Sequence, residues 1–530
     1  RDTYMGWVGR VLGRKARYAF VFLAIVGAMA VLYLRMPTGY LPDEDQGNLV
    51  AMIQLPVGST LEQTEKVMQD LEHHFLVDQK DAVKSCGAIR GSGFAGRGQN
   101  QGLMFVKLKD WSLRQRPGLS AKDVAGKAMR VFGGYRGAVV FVFPPPAVTE
   151  LGIATGFDLY VQDRGDLAHE GLSKAVNELL DLANKDPRLA RVRLNGMPDV
   201  PQYKVDIDWE KAGALGVPVN GIQRYLSAAF GSAYVGNFVQ GGRVKRVYAQ
   251  ADAPFRMLPE DLHRLHVRNG QGRMVPLSAV ASGKWVSGPP RLQRYNAFPA
   301  MNIQGEPAPG HSSGEAMNAM EELIAKLPAG VGHEWTGLSY QQRMSESQAG
   351  LLYAFSILAI FLVLAALYES WTVPISIVLA LPLGVIGGVI ASSTRGMAND
   401  VYFQIGLLTV LGLTTKNAIL IVQFAVQYRE KGMGLVEATM EAAKTRLRPI
   451  VMTSLAFGFG VLPLALAAGA GAGAQKAIGT SVLGGMLSGT FLAVLLIPLL
   501  YVLVVKLFER RKAVEAPPVL DAPLPAEGKS

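Results

Sequence analysis

The sequence predicts a multi-pass α-helical membrane protein with six transmembrane helices and a large α+β region outside the membrane. Three observations predict this fold class: 49% of the 530 residues are hydrophobic, six long runs carry almost no charge, and a stretch of mixed pattern at 37–347 separates the first run from the others. A chain of this length and apolarity exceeds one soluble domain, since such domains usually span ~100–200 residues.

The six apolar runs are each close to, or longer than, the ~20 residues that a helix needs to cross a bilayer. They lie at 18–34, 350–368, 373–392, 401–427, 450–474 and 477–505. We therefore expect one transmembrane helix within 18–36 and five more within 348–508.

The net charge of +11 follows the edges of these runs. Basic residues crowd 1–17, 429–448 and 506–512, whereas the short loops on the opposite side hold only Arg395 and Lys476. Because cytoplasmic loops of membrane proteins are enriched in Lys and Arg, both termini are predicted to be cytoplasmic. This placement explains the charge better than nucleic-acid binding does, so no nucleic-acid partner is expected.

The ends of the chain predict a piece of a longer protein. The sequence opens RDTYMGW, without an initiator methionine or a signal peptide, and we interpret it as the second part of a larger polypeptide. The segment 509–530, which contains APPVLDAPLPAEGKS, is predicted to be a disordered cytoplasmic tail. Cys86 is the only cysteine, so no intrachain disulfide is expected.

Two α+β subdomains and an inserted β-rich unit are predicted within 37–347. Strand and helix patterns follow the order βαββαβ over 37–156, which is the order of a ferredoxin-like split βαβ unit. A second unit of the same kind begins at 157–209 and resumes at 296–347. Between its two parts, 210–295 contains hairpin patterns with Gly-Gly and Asn-Gly turns.

Lys416 lies in the middle of the apolar stretch GLTTKNAILIVQFA. A charge at this depth costs a few kcal/mol or more and usually meets a charged partner. The six runs contain no internal Asp or Glu, and Asp400 and Glu369 lie at their ends. We interpret Lys416 as one half of an ion pair whose carboxylate comes from another chain or from an absent first part. The alternative is a lysine whose long side chain reaches the headgroups.

Arg446 and Thr453, in the stretch TRLRPIVMTS, are seven residues apart and therefore project from the same face of a helix. A hydroxyl two turns from an arginine, near a lysine on the preceding helix, can hold water and pass a proton. Anchoring at the cytoplasmic surface is the alternative for Arg446 and the favoured explanation for Arg448. For Thr453 the alternative is a hydrogen bond to its own helix backbone.

The stretch GSGFAG at 91–96 has the G-x-G-x-x-G spacing of a dinucleotide-binding loop, but it runs into a strand and not a helix, so no cofactor is expected. A flexible loop with one aromatic tip residue, Phe94, is predicted instead. Phe105, Phe141 and Phe143 line an apolar drug-sized pocket in this interpretation, and ordinary strand-core packing is the alternative. The seven histidines lack metal-ligand spacing, so neither a metal site nor a catalytic group is predicted.

Several long motifs, in one order, resemble the resistance-nodulation-division (RND) multidrug efflux pumps of the hydrophobe/amphiphile subfamily. The resemblance extends between residues 5 and 510 and rests on GYLPDEDQG, GFAGRGQN, GEAM, ALYESW, NDVYFQIGLLT, GLTTKNAILIVQFA and RLRPIVMTSLAF.

The resemblance implies the C-terminal half of such a pump, which is a secondary transporter and not an enzyme. This half holds transmembrane helices seven to twelve, two porter subdomains of ferredoxin-like fold and an inserted docking subdomain. Family members are inner-membrane homotrimers of Gram-negative bacteria with a large periplasmic region. They exchange protons for amphiphilic drugs together with a periplasmic adaptor and an outer-membrane channel. The proton gradient drives them, so no cofactor is implied.

The resemblance also implies roles for individual residues. The proton relay falls on Lys416, Arg446 and Thr453, with two aspartates in the N-terminal half as their partners. A switch loop falls on Gly91, Ser92, Gly93, Phe94, Ala95, Gly96, Arg97 and Gly98. Phe105 matches a deep-pocket position, and the entrance-pocket positions are Phe141, Phe143, Glu150, Arg193 and Asn195. Gly87 and Ser92 stand where the deep pocket often has phenylalanine, which implies a roomier, less aromatic pocket.

Two other functions remain open on the sequence alone. One is a metal-ion pump of the same fold, which the irregularly scattered methionines of the outer region disfavour. The other is a membrane scaffold or protein-translocation accessory that transports nothing. A scaffold has no use for a charge at mid-membrane, so Lys416 favours transport over this alternative.

Overall fold

The computed structural model describes residues 2–42, 44–94, 96–152, 156–469 and 471–515. It divides the chain into two compact units, one formed by 1–196 together with 293–530 and the other by 197–292. The first unit begins with α1 (Asp2–Gly13) and α2 (Lys15–Leu34), and only α2 has the length and apolarity of a membrane span.

The first sheet of this unit follows the predicted βαββαβ order. Its elements are β1 (Asn48–Gln54), α3 (Leu61–His73), β2 (Val83–Gly93), β3 (Gly96–Leu108), α4 (Ala121–Phe132) and β4 (Val139–Phe143). The antiparallel strands lie in the order β2-β3-β1-β4. A capping box between Thr60 and Gln63 starts α3. Leu49, Ala51 and Ile53 of β1 are buried against α3 and α4, so both helices cover one face of the sheet.

A second sheet begins with β5 (Phe157–Asp163), α5 (Ala168–Ala183) and β6 (Leu189–Leu194). The chain then forms the 197–292 unit. Its elements are β7 (Val200–Ile207), α6 (Trp209–Ala214), α7 (Val219–Leu226), β8 (Ala233–Gln240), β9 (Arg243–Ala249), α8 (Asp261–Arg264), β10 (His266–Arg268), β11 (Met274–Pro276) and β12 (Ala281–Gly288).

The inserted unit starts earlier than the sequence predicts. The stretch QYKVDID was expected within the second ferredoxin-like unit, but β7 pairs along its whole length with β12. The structure therefore draws the boundary at 197 and not at 210. The alternation of a strand identifies its two faces but not its partner, and this is why the sequence misplaced β7.

The second sheet is completed by β13 (Arg294–Tyr295), β14 (Phe298–Pro307), α9 (Ser313–Ile324) and β15 (Val331–Trp335). Its four long strands lie in the order β6-β14-β5-β15. With β5 counted as the first strand, this is the same order as in the first sheet, so the fold repeats one ferredoxin-like unit.

The remaining helices are α10 (Gly337–Tyr368), α11 (Thr372–Val378), α12 (Leu381–Thr394), α13 (Val401–Glu430), α14 (Leu435–Ala465) and α15 (Ala472–Glu515). With α2, and with α11 and α12 counted as one span, the described residues contain six helices that are long and apolar enough to cross a membrane. The six predicted spans are confirmed. Most residues of α12, α13 and α15 in these spans are buried, whereas few residues of α2, α10 and α14 are.

Glycines allow α12 and α15 to approach closely. A Cβ atom built on Gly387 of α12 would collide with the Ser488 hydroxyl and with the carbonyl oxygen of Gly484, both on α15. Small residues at such crossings let helix backbones meet inside a membrane, where packing and not water exclusion drives association.

We expect Gly387→Val to destabilise the helix bundle by about 1–3 kcal/mol, because the added side chain must push α12 and α15 apart. Gly350→Val is the matched control, since the Cβ position of this α10 glycine has no neighbour within 4 Å. Thermal unfolding in detergent, followed by tryptophan fluorescence, measures the difference. Equal unfolding midpoints for the two variants would contradict the close packing.

Candidate functional site

Lys416 lies on the face of α13 that the rest of the described chain leaves open. The buried face of α13 is centred on residues such as Val410 and Thr414, and Lys416 lies about 200° around the helix from Thr414. The exposed residues Ile405, Gly412, Lys416 and Gln423 form one stripe along this open face. The lysine therefore points away from α12 and α15 instead of into the core they form with α13.

Arg446 of α14 packs against α13 through an aromatic ring. Its guanidinium carbon lies 3.4 Å from the ring centroid of Phe424, a cation–π contact. The Nε atom of the same side chain is buried and has no hydrogen-bond partner among the described residues. A buried N–H group without an acceptor costs free energy, so this arginine lacks a partner that its position requires.

Lys416 and Thr453 lie at nearly the same depth. The turn 431–434 reverses the chain, so the neighbouring helices α13 and α14 run antiparallel. Lys416 lies eight residues before Phe424 and Thr453 seven residues after Arg446, so both are displaced in one direction by about 12 and 10 Å. The Thr453 hydroxyl donates to the carbonyl of Ile450 at 3.1 Å, the backbone bond expected of a helical threonine.

The described residues offer neither cation a carboxylate. Asp400 caps the start of α13 by accepting a 2.7 Å hydrogen bond from the backbone N–H of Phe403, and it lies sixteen residues, or about 24 Å, from Lys416. Glu441 of α14 is paired with Lys444 at 3.0 Å. Of the salt bridges within the described part of the chain, none includes Lys416 or Arg446.

The switch-loop residues form the tip of a β-hairpin. Strands β2 and β3 remain paired as far as Gly93 and Gly96, and Phe94 lies half-buried in the turn between them. Gly91 and Gly96 have positive φ angles of 78° and 147°, which favour glycine at both positions. Ala95 lies outside the described residues. The observed turn is thus shorter than the predicted loop at 91–98, because paired strands take up both ends of that segment.

Aromatic residues line the face of the first sheet opposite its helices. Gly87 pairs with Phe105, Phe105 with Val50, and Val50 with Phe143, so these four residues form one row across β2, β3, β1 and β4. The core residues of β1 flank Val50 in sequence and point to the other face. These phenylalanines therefore do not belong to the helix-covered core. The Cβ position of Gly87 has no neighbour within 4 Å, which leaves open space beside Phe105.

Arg193 of β6 joins the two sheets through Phe141. Its guanidinium carbon lies 4.3 Å from the ring centroid of Phe141, and the rings of Phe141 and Phe143 are 5.4 Å apart. Asn195 donates from its side-chain amide to the Asn302 side-chain oxygen at 2.7 Å. Glu150 is an exposed residue of the helical turn Thr149–Leu151.

Sequence reasoning missed the polar groups that support these residues. Asp158 of β5 accepts hydrogen bonds from the side-chain amides of Asn302 and Gln304, the latter at 2.9 Å. Burial raises the pKa of Asp158 above its ordinary value of 3.8, against the opposing effect of both amides and of Arg193. Phe424, the platform of Arg446, was also missed. The one feature of the sequence that points to it is its position about two helical turns after Lys416 on the same helix.

The model of the AcrB/AcrD/AcrF family matches residues 1–505. The chain belongs to the AcrB/AcrD/AcrF family. It is 52% identical over 498 residues to the multidrug resistance protein MdtF of Escherichia coli (strain K12), covering 94% of this chain and 48% of the relative. It is 50% identical over 510 residues to the multidrug export protein AcrF of the same strain, covering 96% and 49%.

A third relative is the multidrug/solvent efflux pump membrane transporter MepB of Pseudomonas putida, 50% identical over 507 residues, with 96% of this chain and 48% of the relative covered. The chain thus spans about half the length of these curated relatives. Every candidate residue lies inside the range matched by the AcrB/AcrD/AcrF model.

The raised pKa of Asp158 predicts a stability that increases on mild acidification. Between pH 3.8 and the folded-state pKa, the folded protein holds a proton that the unfolded chain releases, so stability rises as pH falls through this window. The unfolding midpoint of wild type, relative to Asp158→Asn, should therefore be higher at about pH 5 than at about pH 7.5.

Asp186→Asn is the control of opposite sign. Hydrogen bonds from Arg188 lower the pKa of Asp186, so wild type should lose stability relative to this variant as the pH falls through the ordinary Asp range. A pH-independent difference between wild type and Asp158→Asn would contradict the raised pKa.

Proposed function

We propose that this chain is the C-terminal half of a proton/drug antiporter that exports amphiphilic compounds across the inner membrane of a Gram-negative bacterium. The observation that carries the proposal is the pair of cations on α13 and α14. Lys416 lies on the open face of α13, and the buried N–H group of Arg446 has no acceptor within the described ranges of the chain. Charges in a membrane mark ion and proton pathways, and these two await anionic partners.

The partners are two aspartates on a membrane helix of the N-terminal half, packed against the open faces of α13 and α14. As carboxylates they pair with Lys416 and Arg446. When one of them takes up a proton, its attraction for the lysine falls, and the lysine and its helix shift to a second arrangement. Thr453, at the depth of Lys416, supplies a hydroxyl that holds water along the proton route.

One membrane helix, α10, is joined to the second porter sheet without a flexible linker. A single residue, Thr336, separates the end of β15 at Trp335 from the start of helix α10 at Gly337, and α10 continues as one helix to Tyr368. The buried Ser339 hydroxyl accepts a 3.0 Å hydrogen bond from the backbone N–H of Asp158 on β5. A shift of α10 therefore moves the second sheet, and this transmits the protonation step to the substrate path.

The substrate path runs along the aromatic face of the first sheet. Phe105, which is 47% exposed, and the half-buried Phe141 offer apolar contacts, with the buried Phe143 packed beside Phe141. Arg193 offers a cation, and this combination suits amphiphilic molecules with an apolar body and an acidic or polar end. Phe94 at the hairpin tip separates the entrance from the deep pocket. The open space at Gly87 favours bulky substrates over flat, tightly held ones.

The assembly that fits this chain is a homotrimer with a periplasmic adaptor and an outer-membrane channel. The 197–292 unit docks to these partners, and the basic residues at 1–17, 429–448 and 506–512 keep both ends of the chain in the cytoplasm. The relatives' names, which refer to multidrug resistance, multidrug export and solvent efflux, support antibiotic and solvent export as the physiological outcome.

Lys416→Ala in the complete transporter should reduce proton-driven dye export to the background of cells without the pump, because the relay carboxylate loses its counter-charge. Gln423→Ala is the matched control, since Gln423 lies two turns along the same exposed stripe and carries no charge. It should export normally. Arg446→Ala and Thr453→Ala should lose export like Lys416→Ala at unchanged expression and trimer yield. Normal export by Lys416→Ala would refute the relay.

Phe94→Ala should leave the protein folded and lower resistance selectively, most for bulky compounds such as macrolides. Phe132→Ala is the contrasting variant, because Phe132 is only 4% exposed in the core of the first porter sheet. Its truncation should cost about 3–5 kcal/mol and lower resistance to every compound alike. Melting temperatures measured beside a panel of inhibitory concentrations separate the two effects. A uniform loss for Phe94→Ala with a large drop in melting temperature would assign Phe94 to the core.

A further inference from the structure

A second feature of the membrane helices has no part in the proposed relay. Helices α1, α14 and α15 enclose a groove of about 570 Å³ whose walls are almost entirely apolar. Leu455 and Leu462 of α14 face Leu483 and Phe491 of α15 across it. At one end the Tyr4 hydroxyl donates to the carbonyl of Val494 at 3.0 Å, which fixes α1 as the floor of the groove.

The groove lies on the side of α14 that faces away from the relay. Leu455 follows Arg446 by nine residues and is rotated from it by about 180°, whereas Thr453 follows by seven and shares its side. A helix that packs against the Arg446 side of α14 therefore leaves the groove on the opposite side uncovered. The groove is a separate site on the same helix.

The apolar side chains that line the groove favour a hydrocarbon ligand over a polar one. The hydroxyl groups of Ser454 and Thr490, which line the groove, are 2.8 Å apart, and Thr490 donates to Ser454. They hydrogen-bond to each other, and nearly all of the remaining lining is apolar. From Leu447 to Leu462 the α14 wall is about 22 Å long, enough for a lipid tail that crosses one leaflet of about 15 Å.

The floor end of the groove is basic and interfacial. Arg448 is exposed next to the lining residue Leu447, and Arg10 is exposed one turn along α1 from Trp7. Trp7, which lines the floor and is 51% exposed, is the residue type that marks the headgroup level of a bilayer. The carboxylate of Glu441 nearby on α14 is already paired with Lys444. This end is therefore complementary to an anionic headgroup.

We propose that the groove binds one acyl chain of an anionic phospholipid, with the lipid phosphate beside Arg448 and Arg10. The tail fills the space between α14 and α15, and the headgroup lies at the cytoplasmic level marked by Trp7. The proposal concerns binding alone and does not depend on the relay. It predicts that α14 packs against lipid between Leu447 and Leu462, on the side opposite Arg446 and Thr453.

Photo-crosslinking tests the occupant. The full chain is expressed in its native membrane with a benzophenone amino acid in place of Leu487, a groove residue that is 55% exposed, and is irradiated before extraction. The expected product is an adduct with phosphatidylglycerol or cardiolipin, enriched relative to the same probe at Val363, an exposed residue of α10. Adducts with a polypeptide, or the same lipid profile at both positions, would overturn the proposal.

Two substitutions test the geometry. Gly458 lines the groove beside Leu483, whereas Gly460 does not line it and its Cβ position has no neighbour within 4 Å. Gly458→Trp should abolish the anionic-lipid enrichment at position 487, and Gly460→Trp should keep it. Unchanged enrichment in folded Gly458→Trp would reject the groove as the site.

Arg448→Ala tests the headgroup contact without filling the groove. It should lower the preference for phosphatidylglycerol over phosphatidylcholine by about fivefold, the factor that corresponds to the ~1 kcal/mol contributed by one basic side chain near an anionic surface. The measurement is competition between the two lipids in reconstituted bilayers, read from the adducts at position 487. An unchanged preference would overturn the assignment of Arg448 to the phosphate.

Discussion

A positive charge inside a bilayer must meet a negative charge or water, and this constraint governs the helices described here. Lys416 and Arg446 occupy apolar helices of a chain whose described residues give them no carboxylate. The cost of such charges is tolerable only in a larger assembly. The apolar surfaces left open on α2, α10 and α14 likewise need a cover, which is either lipid or another protein segment.

The second of the two ferredoxin-like sheets is tied directly to a membrane helix. Each sheet is a closed ferredoxin-like unit with its own core, so neither deforms easily. The second is joined to α10 through a continuous backbone and through the hydrogen bond from Asp158 to Ser339. The contact of Arg193 with the ring of Phe141 lies where the two sheets meet.

The sequence predicted what local periodicity determines and missed what long-range pairing determines. The six spans and the shared face of Arg446 and Thr453 follow from run length and from 3.6 residues per turn. The face of Lys416 could not be predicted, because α13 is apolar on nearly every side and hides which side is covered. The row from Gly87 to Phe143 and the partner of β7 are matters of register between distant strands, which one sequence does not encode locally.

The insertion point of the 197–292 unit has a consequence for how such proteins change over time. The chain leaves the second sheet just after Asn195, whose backbone N–H donates to the carbonyl of Asn302, and returns at Gln293, whose carbonyl accepts from Ala300. Both contacts lie on the same edge of β14, two residues or about 7 Å apart. The 197–292 unit is thus inserted between two segments, β6 and β13, that pair with the same edge of β14. Such a junction lets the domain be lost, exchanged or grafted onto a related sheet while the strand order stays the same.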